Sequence, residues 1–183
     1  MSDSDLTDKP PFWKTSSGKN ALIVLAIVIF YPFVHSFLIK QSIEGPAPEF
    51  SATYVSGESF DLKDYQGQPV LIHFWATWCE ICEVERPDIE KIAERYQVIN
   101  VAIQSGSDKS VLEFAEKSNM NPGRIVNDKN QQLETLYGAH AVPASFIVDA
   151  AGEIRYFKHG YSGFKKLNAE FNLLEAEPPK SNN

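Results

Sequence analysis

The strongest constraint on the fold is an abrupt change of pattern at residues 69–96, "PVLIHFWATWCEICEVERPDIEKIAERY". Pro69 to Ala76 form a nearly continuous apolar run rich in β-formers. Such a run suits a central strand covered on both faces. Beyond it, Ile81, Val84, Ile89, Ile92, Ala93 and Tyr96 approximate i, i+3, i+4 spacing, with charged residues between them. That is the signature of an amphipathic helix over about 80–96. Pro87 falls inside it and is expected to kink it. Both cysteines of the chain, Cys79 and Cys82, sit where the strand gives way to the helix.

The rest of the chain extends the alternation. "TYVSGESFDL" reads as a hairpin turning at Ser56-Gly57. "VINVAI" (98–103) predicts a second buried strand. "DKSVLEFAEKS" (108–118) predicts a helix capped by Ser107 or Asp108, and "NDKNQQLETLYG" (127–138) another helix closed by Gly138. "PASFIVD" (143–149) and "EIRYFKH" (153–159) form a second hairpin through "AAG". "GFKKLNAEFNLLEA" (163–176) is a final amphipathic helix. The order is hairpin, β, α, β, α, α, β, β, α. It implies an α/β domain with a mixed central sheet flanked by helices, carrying an N-terminal β-hairpin extension.

A different solvent is implied upstream. Residues 21–39, "ALIVLAIVIFYPFVHSFLI", are almost wholly apolar and long enough to span a bilayer. A cleaved signal peptide would have a shorter core and a small-x-small site, which "HSFLIKQS" does not offer. Lys9, Lys14 and Lys19 precede the run and only Lys40 closely follows it. The positive-inside rule then keeps the N-terminus in the cytoplasm and exports the remainder. The expected organisation is a cytoplasmic tail at 1–20, one transmembrane anchor at 21–39, a linker at 40–50 and a folded domain at 51–176. A flexible tail at 177–183 completes it. The formal net charge is -7; residues 1–40 carry a net +1, so everything after residue 40 carries -8. An acidic domain repels phosphate backbones, so no nucleic acid partner is expected.

Four uses of the cysteine pair compete. Haem attachment needs C-x-x-C-H, and residue 83 is Glu. A zinc site needs four ligands, but there is no second cysteine pair and His73, His140 and His159 are scattered. A structural staple closing so short a loop removes little chain entropy. A redox dithiol remains. Cys79 at a strand-to-helix junction lies where backbone N–H groups and the helix dipole favour thiolate. Cys82, one turn on, can attack a mixed disulfide formed at Cys79. Two other chemistries stay open: a copper(I)-handling module using the dithiolate as ligand, and a peroxidase-like thiol enzyme, against which the vicinal second thiol argues.

"FWATWCEICEVERP" and "AVPASF" together resemble the thioredoxin family over roughly residues 47–175. The first supplies Trp-Cys-x-x-Cys after a strand, with a helix-borne proline further on. The second matches the family's cis-proline loop. The resemblance is closest to the membrane-anchored, TlpA-like periplasmic branch, and within it to disulfide oxidoreductases like the suppressor-of-copper-sensitivity protein D. It implies a thioredoxin fold without an organic cofactor or metal. It also implies thiol–disulfide exchange with protein substrates in the periplasm, chiefly as a reductase, and electrons passed through a membrane partner. The domain would be a monomer tethered to the bacterial inner membrane. Cys79 and Cys82 would be catalytic, while Trp78, Val142 and a cis Pro143 would shape the substrate groove.

Three departures from the family pattern matter. Glu80-Ile81 separates the cysteines, so a negative charge adjoins Cys79 and opposes its thiolate. His73 stands where thioredoxin carries a buried acid, and is read as a core histidine. Glu85 matches a glutamate of the cytochrome-maturation reductases, three residues after the second cysteine. There it would serve as the base for Cys82. The other reading of Glu85 is a surface glutamate in the run Glu83-Val84-Glu85-Arg86, paired with Arg86.

Overall fold

A computed structural model describes residues 45–176. The expected tail, anchor and the first part of the linker lie outside the described residues, as does the C-terminal tail. No helix among the described residues is long and apolar enough to cross a membrane.

Six strands make the central sheet, and β4 (Val70–Trp75) lies at its heart with every residue buried. It pairs in parallel with β5 (Gln97–Ile103), which pairs in parallel with β6 (Ile125–Asp128). Its other edge pairs antiparallel with β7 (Ala144–Val148). β8 (Glu153–His159) and the short β1 (Gly45–Pro46) follow, giving the order β1-β8-β7-β4-β5-β6. β2 (Ser51–Thr53) and β3 (Ser59–Asp61) form the separate N-terminal hairpin. The fold is the mixed α/β sheet expected.

Strand alternation divides the core between the two faces. Leu71, Val98 and Ile147 pack with Ile89 and Ile92 of α1 (Glu80–Ala93) and with Leu167 and Phe171 of α4 (Gly163–Ala176). Phe74 and Phe146 face the other side and pack around Tyr137 of α3 (Gln132–Tyr137). α2 (Asp108–Lys117) also packs on the sheet, burying Val111 and Ala115. Its N-cap is Ser107, whose hydroxyl accepts the Ser110 N–H.

Two elements differ from the sequence reading. The predicted helix over 127–138 begins only at Gln132, because Ile125–Asp128 is the outermost parallel strand. Asp128 ends that strand and accepts the N–H groups of Gln132 and Glu134 at 2.9 and 2.7 Å, holding the start of α3. Gly138 does close the helix, at φ +62°. The second difference concerns the linker. Its residues 45–50 are built into the domain: Gly45 and Pro46 pair with Ile154 and Glu153, and Phe50 packs edge-on against Phe60 and Tyr137.

α4 is the last described element, and its hold on the sheet is concentrated in two side chains. Phe171 is fully buried and stacks on Tyr96 with ring centroids 4.0 Å apart. Phe171→Ala should therefore cost about 3–5 kcal/mol, read as a lower denaturant midpoint. A change below about 1 kcal/mol would mean that α4 is not integral to the fold.

Candidate active site

Trp78, Cys79, Val142 and Pro143 lie on loops at one end of the sheet, and Cys82 and Glu85 follow in the first turns of α1. Thr77, Trp78 and Cys79 follow β4, and Gln104 and Ser105 follow the parallel β5, so both loops emerge at the strands' carboxyl ends. β7 runs the opposite way, with Ala144 opposite Phe74. Val142 and Pro143, just before it, are thereby brought to the same end. The Val142–Pro143 peptide bond is cis, as the family resemblance implies.

Cys79 is the N-cap of α1 and is disulfide-bonded to Cys82, with Cα atoms 5.3 Å apart. Its sulfur accepts the Cys82 N–H at 3.2 Å. The positive end of the helix thus converges on Cys79, the arrangement that favours thiolate when the bond opens. Both cysteines are buried, at 5% and 4% exposure, so a partner must reach the disulfide through a narrow opening. Around it, Trp78, Ile81, Val84 and Tyr161 are exposed apolar side chains. Glu80 and Glu83 add acidic groups to the first turn of α1.

Trp78 is fixed from behind. Its indole N–H donates to the Gln104 carbonyl at 3.1 Å, and the Gln104 amide donates to both oxygens of buried Glu134 at 3.3 Å. Gln104 adopts φ +48°, which a side-chain-bearing residue holds only when its surroundings enforce it. Ser105 completes the support, accepting the Thr77 N–H at 3.0 Å and donating to the Ile103 carbonyl at 2.9 Å. None of Gln104, Ser105 and Glu134 was singled out from the sequence, where each reads as an ordinary polar residue of a loop or helix.

Glu85 is not on the surface and does not pair with Arg86. It is buried, one turn beyond Cys82, and accepts the Ser162 backbone N–H at 2.9 Å. Burial pushes its carboxyl up to about 7, with the Ser162 hydrogen bond pulling the other way and Asp88 adding to the rise. The Arg86 guanidinium instead donates to the Ser118 carbonyl. His73 is a buried core histidine hydrogen-bonded to Ser145 Oγ at 3.0 Å, and burial pushes it down to about 3. It is neutral throughout the working range.

This geometry defines a class: a dithiol at a strand-to-helix junction beside a cis-proline loop is a thioredoxin-type redox site. Residues 43–157 match the AhpC/TSA family, and the chain belongs to that family of thioredoxin-like proteins. The chain is similar to the thiol-disulfide oxidoreductase ResA of Geobacillus kaustophilus, 32% identical over 141 residues, spanning 73% of this chain and 80% of that protein. It is 31% identical over 140 residues to the thiol:disulfide interchange protein DsbE of Pseudomonas fluorescens, spanning 74% and 78%. Among solved structures it resembles a secreted Mycobacterium tuberculosis disulfide oxidoreductase at TM-score 0.60 and 25% identity, over 68% of this chain and 96% of that one. The protein is a thiol-disulfide oxidoreductase of the thioredoxin family.

The two shifted groups make opposite contributions to stability. Glu85 binds its proton more tightly folded than unfolded, so its contribution is present at low pH and is lost as pH rises from about 4.5 to about 7. His73 resists protonation in the fold, so its contribution is lost as pH falls below about 6.5. The slopes oppose each other where they overlap, and a variant isolates one. Glu85→Gln keeps an acceptor for the Ser162 N–H. It should gain on the wild type by about 2 kcal/mol between pH 4.5 and 8, measured by denaturant titration of the oxidised protein. A pH-independent difference would show that Glu85 ionises normally.

Proposed function

We propose that this protein is a membrane-anchored reductase of protein disulfides in the periplasm. In this reading Cys79 is the nucleophile and Cys82 the resolving thiol. The observation that carries these two roles is the placement of Cys79 as the N-cap of α1, its sulfur accepting the Cys82 N–H with Cys82 buried behind it. A partner disulfide is attacked by the Cys79 thiolate, and the partner's first sulfur leaves. Cys82 then loses its proton and attacks Cys79, releasing the second partner sulfur as thiol.

Glu85 is the proton acceptor for Cys82 in this scheme. Its carboxyl, buried and raised to about 7, can take a proton near neutral pH and return it in the next cycle. Trp78, Val142 and Pro143 form the wall against which an extended partner segment lies. Regeneration requires electrons from outside the domain, which carries no second thiol pair, and by the family resemblance a membrane protein supplies them. The apolar run at 21–39 and the lysines before it support the anchor, an N-terminus in the cytoplasm and an exported domain. The secreted relative is consistent with that side of the membrane.

The reducing direction is tested by the midpoint potential of the Cys79–Cys82 couple in the full-length protein, followed by tryptophan fluorescence. A value near about -270 mV is expected, and one near about -120 mV would make the protein a disulfide donor. Stoichiometric copper(I) binding with no disulfide exchange would replace the redox reading with metal handling.

Roles within the pair are tested separately. Cys82→Ser should accumulate a mixed disulfide with a substrate peptide at Cys79, and Cys79→Ser should form none. Equal trapping by both variants would overturn the assignment.

A further inference from the structure

The sheet register places three polar residues in one row beneath α1. His73 of β4 lies opposite Asn100 of β5 on one side and Ser145 of β7 on the other. His73 Nδ1 and the Ser145 hydroxyl hydrogen-bond to each other at 3.0 Å. Asn100 does not share in this: its Oδ1 is buried and has no hydrogen-bond partner in the protein. Two further orphans accompany it, the indole N–H of Trp75 and the Nε–H of Arg86. Buried polar groups left unpaired are rare and costly, so three together call for a common cause.

All three residues line one small cavity, and Cys82, His73 and Glu90 line it too. The space open to the centre of a water-sized sphere is about 10 Å³, which is room for about one water. The inventory of groups fits that occupant. Two N–H donors, on Trp75 and Arg86, match a water's two lone pairs, and the Asn100 oxygen matches one of its hydrogens. One hydrogen is left over.

We propose that a single buried water, held by Trp75, Arg86 and Asn100, directs its remaining O–H at the sulfur of Cys82 and stabilises Cys82 as a thiolate. The inference rests on the dithiol reading of the site. It is distinct from the role of Glu85, which is anchored to Ser162 and does not line the cavity. Glu85 would take the proton, and the water would solvate the charge left behind. In the resolving step the Cys82 thiol gives up its proton and its sulfur bonds to Cys79. The Cys79–partner bond breaks, and the partner thiolate leaves with the electron pair and is protonated from solvent. No further oxidant or reductant is needed.

The charged and titratable groups around Cys82 are few. On α1, Arg86 favours thiolate, while Glu83, Glu85 and Glu90 oppose it when ionised. Burial raises the Glu90 carboxyl, and Arg124 and Arg86 draw it back. From β4, His73 is neutral above about pH 3. Cys79 adjoins on the N-terminal side, and α2 presents only Phe114. The water and the two donors that hold it, Trp75 and the cationic Arg86, are thus a large part of what can lower the Cys82 pKa.

The test uses the full-length reduced protein with ¹³Cβ-labelled cysteine and ¹⁵N-labelled tryptophan. Wild type should show a water cross-peak to the Trp75 indole N–H in rotating-frame Overhauser spectra. Trp75→Phe removes one donor while keeping an aromatic ring, and Asn100→Leu removes the acceptor. Each should raise the Cys82 titration midpoint by about one unit, about a tenfold loss of thiolate at neutral pH. Glu85→Gln should leave the water cross-peak in place, so failure of the Glu85 role and failure of the water site are separable. Absence of the cross-peak in wild type, or Cys82 midpoints in Trp75→Phe that are unchanged or lower, would overturn the proposal. Trp75→Phe decides the matter if Asn100→Leu does not fold.

Discussion

The structure depends on the pairing of β4 on both edges while it is buried on both faces. A strand with β5 parallel on one side and β7 antiparallel on the other has no freedom to slip, since a one-residue shift would exchange every inward side chain. That fixed register determines where the chain leaves the sheet, and the next residues are Thr77, Trp78 and Cys79. It also sets which positions of β5 and β7 end beside them. Gln104 and Ser105 meet Trp78 and Thr77, and Pro143 comes to the same end of the sheet, because their strands are locked to β4.

Much of this was legible in the sequence. An unbroken apolar run followed by a helical period left little choice but a buried strand feeding a helix, and the cysteines marked the junction. The bounds of α4 also followed from its pattern. β6 did not, because "IVND" is four residues long and runs straight into the polar segment before α3. Asp128 satisfies both descriptions, being the last residue of the strand and the acceptor that holds the helix start. β1 was missed because Gly45 and Pro46 are breakers in isolation. At a sheet edge a proline's missing N–H costs nothing when that side faces away from the ladder.

The site was legible in its chemistry and not in its surroundings. Cys79, Cys82 and Pro143 announce themselves by residue type and spacing. Glu85 sits in a run of charges that left two readings open, a base for Cys82 and a surface glutamate, and the loop after β8, folding back so that Ser162 meets it, shows that it is inside. Asn100 was likewise hidden within an apolar strand. Local pattern carries no information about which distant segment will cover a side chain, so buried polar residues are the group that sequence reading assigns worst. They are also the residues that set the pKa values on which thiol chemistry turns.

The charges near the two sulfurs bear on the direction of electron flow. A dithiol becomes a strong oxidant when its reduced form is stabilised, chiefly through the nucleophilic thiolate. Here the helix N-terminus stabilises Cys79, but Glu80 and Glu83 in the same turn place negative charge beside it and offset that effect. A less stabilised thiolate leaves the disulfide harder to reduce, and the reduced pair correspondingly better at reducing others. It also leaves a thiolate of higher intrinsic nucleophilicity, since basicity and attack rate rise together. With Cys79 tuned this way, turnover shifts its demand to the second thiol, which is buried and must ionise without solvent. In the proposed scheme the buried Glu85 carboxyl and the polar cavity beside Cys82 answer that demand, which would account for polar groups placed where an apolar core would be more stable.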